Sequence, residues 1–265
     1  MTATSLAIPL ARAQPTVGQG FASLARRGSD AQWHPGRADT CRHGEIFAAG
    51  REAGGAGMAL ALAQDALRSQ ATDPAADTPD ERPWLWVQDR AAIRLGGRPY
   101  RHGLPPGLRH RLVHVAAENC ADALFALEEG LRCRDLAFVI GEIAGNPRAL
   151  DFTASRRLSL AAEKHGVPLW LVRLDARRDL GSARMRWEAR AAPSVPPRWN
   201  AQAPGNPAWN AELFRAHTYQ PGHWILRDDD HALAAEPCVA ATAPDHGDLV
   251  HGAGDGPLAP HPLRA

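Results

Sequence analysis

Lysine is almost missing from this chain: of its 30 basic residues, 29 are arginines and one is Lys164. Chemistry that needs a lysine anywhere else is therefore excluded, including a Schiff-base lysine elsewhere or a phosphate-binding lysine near the N-terminus. Lysine-rich nucleic-acid tails are excluded as well. Cysteine is scarce too: Cys41, Cys120, Cys133 and Cys238 are far apart and form no C-x-x-C pair. Neither a zinc site nor a disulfide framework is indicated, which fits a reducing cytoplasm. No run approaches the roughly 18 uncharged apolar residues that cross a bilayer. Leu6 to Ala13 ends in Ala-Arg-Ala, but its apolar run is too short for an export signal and no basic residue precedes it. The G-x-S-x-G elbow, the H-E-x-x-H helix and the EF-hand loop are all missing. The expectation is a cytoplasmic protein with no membrane partner, no cofactor and no metal.

What is present is arginine, alanine, 24 glycines and 22 prolines, a composition that reads as the imprint of a GC-rich genome. With 265 residues and 45% hydrophobic residues, the chain is long enough for one α/β domain with loose ends. Its formal net charge of +1 is unevenly spread. Arg82 to Arg190 carries 19 basic and 12 acidic residues, whereas Asp228 to Ala265 carries one basic and seven acidic residues. The expected organisation is a flexible N-terminal arm (1–40), an α/β core (41–192), a Pro/Trp-rich extension of that core (193–227) and a disordered acidic tail (228–265).

Hydrophobic patterning fills in the core. Glu45 to Ala49 reads as a strand, followed by a turn with Gly50, Gly54, Gly55 and Gly57, then a helix from Met58 to Leu67. Trp84 to Val87, Leu112 to Val115, Leu136 to Ile140 and Leu169 to Leu174 read as further strands. Asn119 caps an amphipathic helix ending near Arg134, and Asn146-Pro147 opens one that runs to His165 and stops at Gly166. Strands alternating with helices predict a mostly parallel sheet with flanking helices. Arg184 to Ala189 adds an edge strand, Ala208 to Arg215 a short helix, and Gly222 to Arg227 a last strand.

A strand leading through glycines into a helix N-terminus is where α/β proteins bind phosphate. The P-loop pattern G-x-x-x-x-G-K-[ST] tests this, because its lysine reaches the phosphates and its hydroxyl holds Mg²⁺. Gly50 and Gly55 keep the spacing, but the lysine position is Ala56 and the hydroxyl position is Gly57. The turn reads as structural, with weak anion binding as the alternative. The magnesium-holding acid expected directly after Leu136 to Ile140 is Gly141, with Glu142 one residue later. The vestigial positions are therefore Gly50, Gly54, Gly55, Ala56 and Gly57 for phosphate, and Gly141 and Glu142 for the metal. No catalytic residue is assigned. His110 with His114 and Cys41 with His43 are thin metal signals. Trp84, Trp86 and Trp170 are expected in the core. Arg156, Arg157, Arg184, Arg186, Trp187, Trp199, Trp209 and Trp224 are the candidate partner surface, because tryptophan beside arginine dominates interface energetics. Direct DNA binding by this surface stays open.

Several segments together resemble the ImuA family: Trp86-Val-Gln-Asp-Arg90, Gly97-Arg-Pro-Tyr100, Ala123-Leu-Phe-Ala-Leu-Glu-Glu129, Val139-Ile-Gly-Glu142, Ala149-Leu-Asp-Phe-Thr-Ala-Ser-Arg-Arg157, Gly166-Val-Pro168, Ala183-Arg-Met-Arg-Trp187 and Ala208-Trp-Asn-Ala-Glu-Leu213. The resemblance covers roughly residues 43 to 227. It implies a RecA-like P-loop-NTPase-type core serving as a non-catalytic accessory factor in SOS-induced, error-prone translesion synthesis. The implied partners are an ImuB-like Y-family polymerase homologue, RecA and an error-prone replicative-type polymerase. The alternatives that the same superfamily suggests are a SulA-like division inhibitor and a weak DNA-stimulated ATPase of RecA type.

Overall fold

A computed structural model describes residues 32–36, 42–70, 80–229 and 232–238. Among the described residues, nine strands form one sheet: β1 (His43–Ala48), β2 (Trp84–Asp89), β3 (Leu112–Ala117), β4 (Val139–Ala144), β5 (Leu169–Leu174), β6 (Met185–Ala191), β7 (Ala208–Ala216), β8 (Gly222–Asp228) and β9 (Leu233–Pro237). Their order is β3-β2-β4-β5-β1-β6-β7-β8-β9. The strands from β3 across to β6 pair parallel, and β7, β8 and β9 are added antiparallel. The α/β class and the mostly parallel sheet expected from the pattern are therefore present.

Among the described residues, five α-helices accompany these strands: α1 (Gly54–Gln70), α2 (Arg90–Gly96), α3 (Pro106–Arg109), α4 (Cys120–Arg132) and α5 (Phe152–His165). On one face, α1 covers β1, β5 and β6 and shares a core with Ile46, Phe138, Ile140, Val172 and Trp187. On the other, α4 and α5 pack side by side over Leu85, Val139, Ile143 and Leu171. Burial on both faces explains why β1, β2 and β5 are buried at all six positions each. Helix starts are set by side-chain caps: Asp89, Asn119 and Asp151 accept from the amides of Ala92, Asp122 and Ala154. Gly166, at φ 76°, closes α5 in the left-handed conformation.

Several expectations are corrected. Asn146 does not cap α5, which starts at Phe152; its side chain instead bridges the 175–179 segment, accepting from the Arg177 amide at 2.8 Å and donating to Asp179 at 2.7 Å. The expected edge strand at 184–189 is β6, which pairs with β1 inside the sheet. The short helix expected at 208–215 is strand β7. There Trp209, Ala211 and Leu213 alternate with polar residues, a period of two that only a strand can bury on one face. The acidic tail expected to be disordered from 228 contains β9, whose Leu233 is buried. The rest of that expected tail, 230–231 and 239–265, and most of the N-terminal arm, 1–31 and 37–40, lie outside the described residues. Within the arm, Trp33 is in the core, edge-on to Trp187 and Trp224 at 4.8 and 5.6 Å between ring centroids.

One part of the core is ionic. Glu45 on β1 accepts from Arg186 Nε at 2.6 Å and lies 3.7 Å from Arg173, all three buried. Both guanidiniums also lie over the Phe47 ring, at 5.0 and 5.6 Å from its centroid. Removing one partner from such a cluster leaves a buried charge uncompensated, at a cost of about 3–5 kcal/mol.

Candidate functional site

The carboxyl ends of β1, β5 and β6 face the turn at residues 49–53, the position at which open α/β sheets take ligands. The sequence folds this way because the residue after the turn must let a helix lie directly on the sheet. At Gly55 an added Cβ would come within 2.6 Å of the Ala48 Cβ and 2.9 Å of Val172 Cγ1. At Gly57 it would come within 3.1 Å of the Trp209 ring. These two glycines are accounted for by close helix packing, and Gly54, Gly55 and Gly57 all lie within α1 rather than in a loop preceding it.

The anion position of the turn is taken by the protein itself. The Gly50 amide donates to Asp175 Oδ1 at 2.9 Å. Asp175 follows β5 with φ 50°, in the left-handed region, and its own amide donates to the Ala48 carbonyl at 3.0 Å. That strained backbone, unusual for a residue other than glycine, aims the carboxylate at the turn. A second carboxylate, Glu52, accepts from the Ala191 amide at 3.0 Å. Together they place negative charge where a phosphate would need positive charge.

The adjoining crevice, about 440 Å³, carries two cations that are already engaged, Arg178 and Arg190. Arg178 is paired with both Glu188 and Glu212 and lies 4.0 Å over the Phe214 ring. Arg190 donates to Glu188 at 2.7 Å. Burial pulls the Glu188 carboxyl upward, but hydrogen bonds from Arg190 and Arg178 outweigh it and hold the group below its ordinary range. Arg51 also lines the crevice and is exposed.

Gly141 and Glu142 do not follow a strand; they lie inside β4. Gly141 points at α4, where a Cβ would lie 2.9 Å from Leu127 and 3.0 Å from Leu171, so an acid has no room there. Glu142 projects from the opposite face into a buried polar chain. Its Oε1 accepts from Trp86 Nε1 at 2.6 Å and from Gln88 Nε2 at 3.3 Å. Gln88 Nε2 also donates to the Gly97 carbonyl at 2.9 Å, and Gln88 Oε1 lies 2.9 Å from His114 Nε2. Burial pushes the Glu142 carboxyl up to about 7, against the pull of the Trp86 and Gln88 hydrogen bonds. Glu142 therefore braces β4 against β2 and β3. The sequence marks its position but not its partners, which only strand pairing brings to it.

The remaining candidates divide sharply. Trp187, Trp209 and Trp224, expected on a partner surface, are core residues, and Arg186 is the buried partner of Glu45. The missed signal was alternation: Trp187 with Met185 and Ala189, and Trp224 with Leu226, share one strand face. Trp199 is 81% exposed. Arg156 is exposed on α5, Arg157 pairs with Glu128 at 3.4 Å, and Arg184 pairs with Glu163 at 2.7 Å. Of the histidine and cysteine signals, His43 is buried with Nδ1 2.7 Å from Ser159 Oγ, and burial followed by the Arg186 charge pushes its imidazole down to about 3. Cys41 lies outside the described residues. Among the described residues no group of three or more His, Cys, Asp or Glu side chains could hold a metal ion. No helix among them is long and apolar enough to cross a membrane.

No family model matches the chain. Protein ImuA of Caulobacter vibrioides strain NA1000 / CB15N is 35% identical to it over 153 residues. Protein ImuA of Caulobacter vibrioides strain ATCC 19089 / CIP 103742 / CB 15 matches to the same extent. The matched stretch spans 54% of this chain and 59% of the length of those curated relatives. Over that stretch, the chain is similar to the ImuA proteins.

Proposed function

We propose that this protein is a non-catalytic adaptor in damage-induced, error-prone DNA synthesis. It acts through protein contacts with an ImuB-like polymerase homologue, with RecA and an error-prone replicative-type polymerase in the same assembly. The observation that carries the non-catalytic half is the filled turn. The Gly50 amide is taken by Asp175, and Ala56 and Gly57 stand where a phosphate-binding lysine and a magnesium-holding hydroxyl would be. Kinship with ImuA supports the role in damage-induced mutagenesis. A RecA-like ancestry of the core is supported by a glycine turn joining the central strand β1 to α1 on a largely parallel sheet.

Two measurements test this reading. Saturating Mg²⁺-ATP leaves the melting temperature unchanged, because a ligand that binds only the folded state must raise it. A rise of several degrees would restore the ATPase reading. Purified ImuB-like protein is retained by the immobilised full chain at micromolar concentration. Loss of retention of both ImuB-like protein and RecA would sink the adaptor.

A further inference from the structure

We propose that the excursion between β2 and β3, residues 90–111, is a surface for single-stranded DNA. The inference rests on charge and exposure and is independent of the adaptor reading. From Arg90 to Ala117 the sequence contains six arginines and no aspartate or glutamate. The partners of these arginines decide whether their charge is available. Arg90 is spent on Glu118 at 2.8 Å. Arg101 donates instead to the Arg109 carbonyl at 3.1 Å, Arg109 to the Leu104 carbonyl at 3.0 Å, and Arg111 to the Gly107 carbonyl at 2.7 Å. A carbonyl orients a guanidinium without neutralising it, so the positive charge remains for a ligand. Arg94 and Arg98 are exposed and make no ion pair among the described residues. At the foot of the patch, Asp80 is held by Arg82 at 2.6 Å, and hydrogen bonds from Arg82, together with the charge of Arg111, hold its carboxyl below the ordinary range.

An aromatic surface lies within the same segment. Tyr100 is 73% exposed, and the His102 ring lies 5.6 Å from its own. Proteins that hold single strands combine an arginine-bearing track for phosphates with aromatic rings on which bases stack. Guanidinium planes add stacking of their own, which suits splayed bases better than the carboxylates of an acidic protein segment. Rigidity favours the same conclusion, because a surface already in place loses little entropy on binding. Pro99, Pro105 and Pro106 restrict the backbone. The excursion is held from below by Trp84 Nε1 donating to the Leu108 carbonyl at 2.9 Å and Gln88 Nε2 to the Gly97 carbonyl at 2.9 Å, with Leu104 and Leu108 buried.

The test is fluorescence anisotropy of the full chain with a labelled oligothymidylate of about 20 nucleotides, several times the smallest site of a strand-binding fold. Expected is a dissociation constant on the order of 1–100 µM at low salt that weakens steeply as salt is added. The combined Arg94→Glu, Arg98→Glu, Arg101→Glu variant binds at least about tenfold more weakly, and its salt slope falls by about 2, at about 0.7 per lost phosphate contact on a single strand. Tyr100→Ala loses about tenfold and Tyr100→Phe restores binding, because the ring and not the hydroxyl stacks. Arg98→Glu and Tyr100→Ala are also read singly, with melting temperatures alongside, so that misfolding of the triple variant cannot mimic the result. Arg215→Glu, exposed on β7 five strands away from β2 in the sheet, leaves binding unchanged. The proposal is overturned if the wild-type chain shows no binding at about 100 µM. It is equally overturned if duplex DNA or polyglutamate binds as tightly with no dependence on Tyr100, which would assign the patch to duplex phosphates or an acidic protein.

Discussion

Two buried titratable residues make opposite demands on pH. Glu142 has its carboxyl pushed up to about 7 in the folded chain against an ordinary 4.5, so the fold favours its protonated form. Its contribution is complete below 4.5 and is lost as pH rises towards 7. His43 has its imidazole pushed down to about 3 against an ordinary 6.5, so the fold favours its neutral form. That contribution is complete above 6.5 and is lost as pH falls towards 3. Between 4.5 and 6.5 the folded chain gains one proton at Glu142 and loses one at His43 relative to the unfolded chain, so the two slopes cancel. Glu142→Gln removes one side of this balance while its amide oxygen still accepts from Trp86. The unfolding free energy of the variant minus that of the wild type then rises by about 1.4 kcal/mol per pH unit between 4.5 and 7. Denaturant titrations across that range check it, and a pH-independent difference would mean that Glu142 stays ionised in the fold. None of this was legible in the sequence, because Trp86 and Gln88 reach Glu142 only once β2 and β4 are side by side.

At the scale of elements, β1, β2, β4 and β5 were readable because strands buried on both faces are mainly apolar, although each also buries a polar side chain such as Glu45, Gln88, Glu142 or Arg173. β6 to β8 were harder: their Trp and Pro content suggested a surface, although alternation in β7 and β8 places the tryptophans inside. The glycine turn was legible in position and read as structural; what the sequence did not show is what fixes its glycines, the packing of Gly55 against Ala48 and Val172 and of Gly57 against Trp209. This gives a prediction for α1. Restoring the missing phosphate-loop chemistry by Ala56→Lys with Gly57→Ser does not restore nucleotide binding, because Asp175 still holds the Gly50 amide and Glu52 still adds negative charge. The serine side chain also meets the Trp209 ring, whose distance of 3.1 Å leaves overpacking that costs about 1–3 kcal/mol. Expected are a lower melting temperature and no ATP-dependent shift; micromolar ATP binding by the double variant would show that Asp175 yields to phosphate.

At the scale of the molecule, the sheet continues from its parallel half into β7, β8 and β9 without a break, so the Pro/Trp-rich segment belongs to one structure with the core. Its inner face is completed from far away in sequence. Trp33 lies ten residues before β1 yet fits edge-on between Trp187 of β6 and Trp224 of β8, while the Gly36 amide donates to Asp65 of α1 at 2.8 Å. The sequence could not reveal this, because a lone tryptophan among Gly, Pro and Arg has no period that marks it as core. The antiparallel half therefore depends on a contact that most of the chain must be folded to make. Trp33→Ala is expected to cost about 3–5 kcal/mol, the usual price of emptying a large aromatic site. It should also shift the fluorescence of the Trp187 and Trp224 pair to longer wavelength as water enters. Trp199→Ala, at a side chain 81% exposed, changes stability by less than about 0.5 kcal/mol and serves as the matched control. Equal unfolding midpoints for the two variants would show that Trp33 rests on the sheet without holding it, and that β6 to β9 are stable through their own pairing and α1 alone.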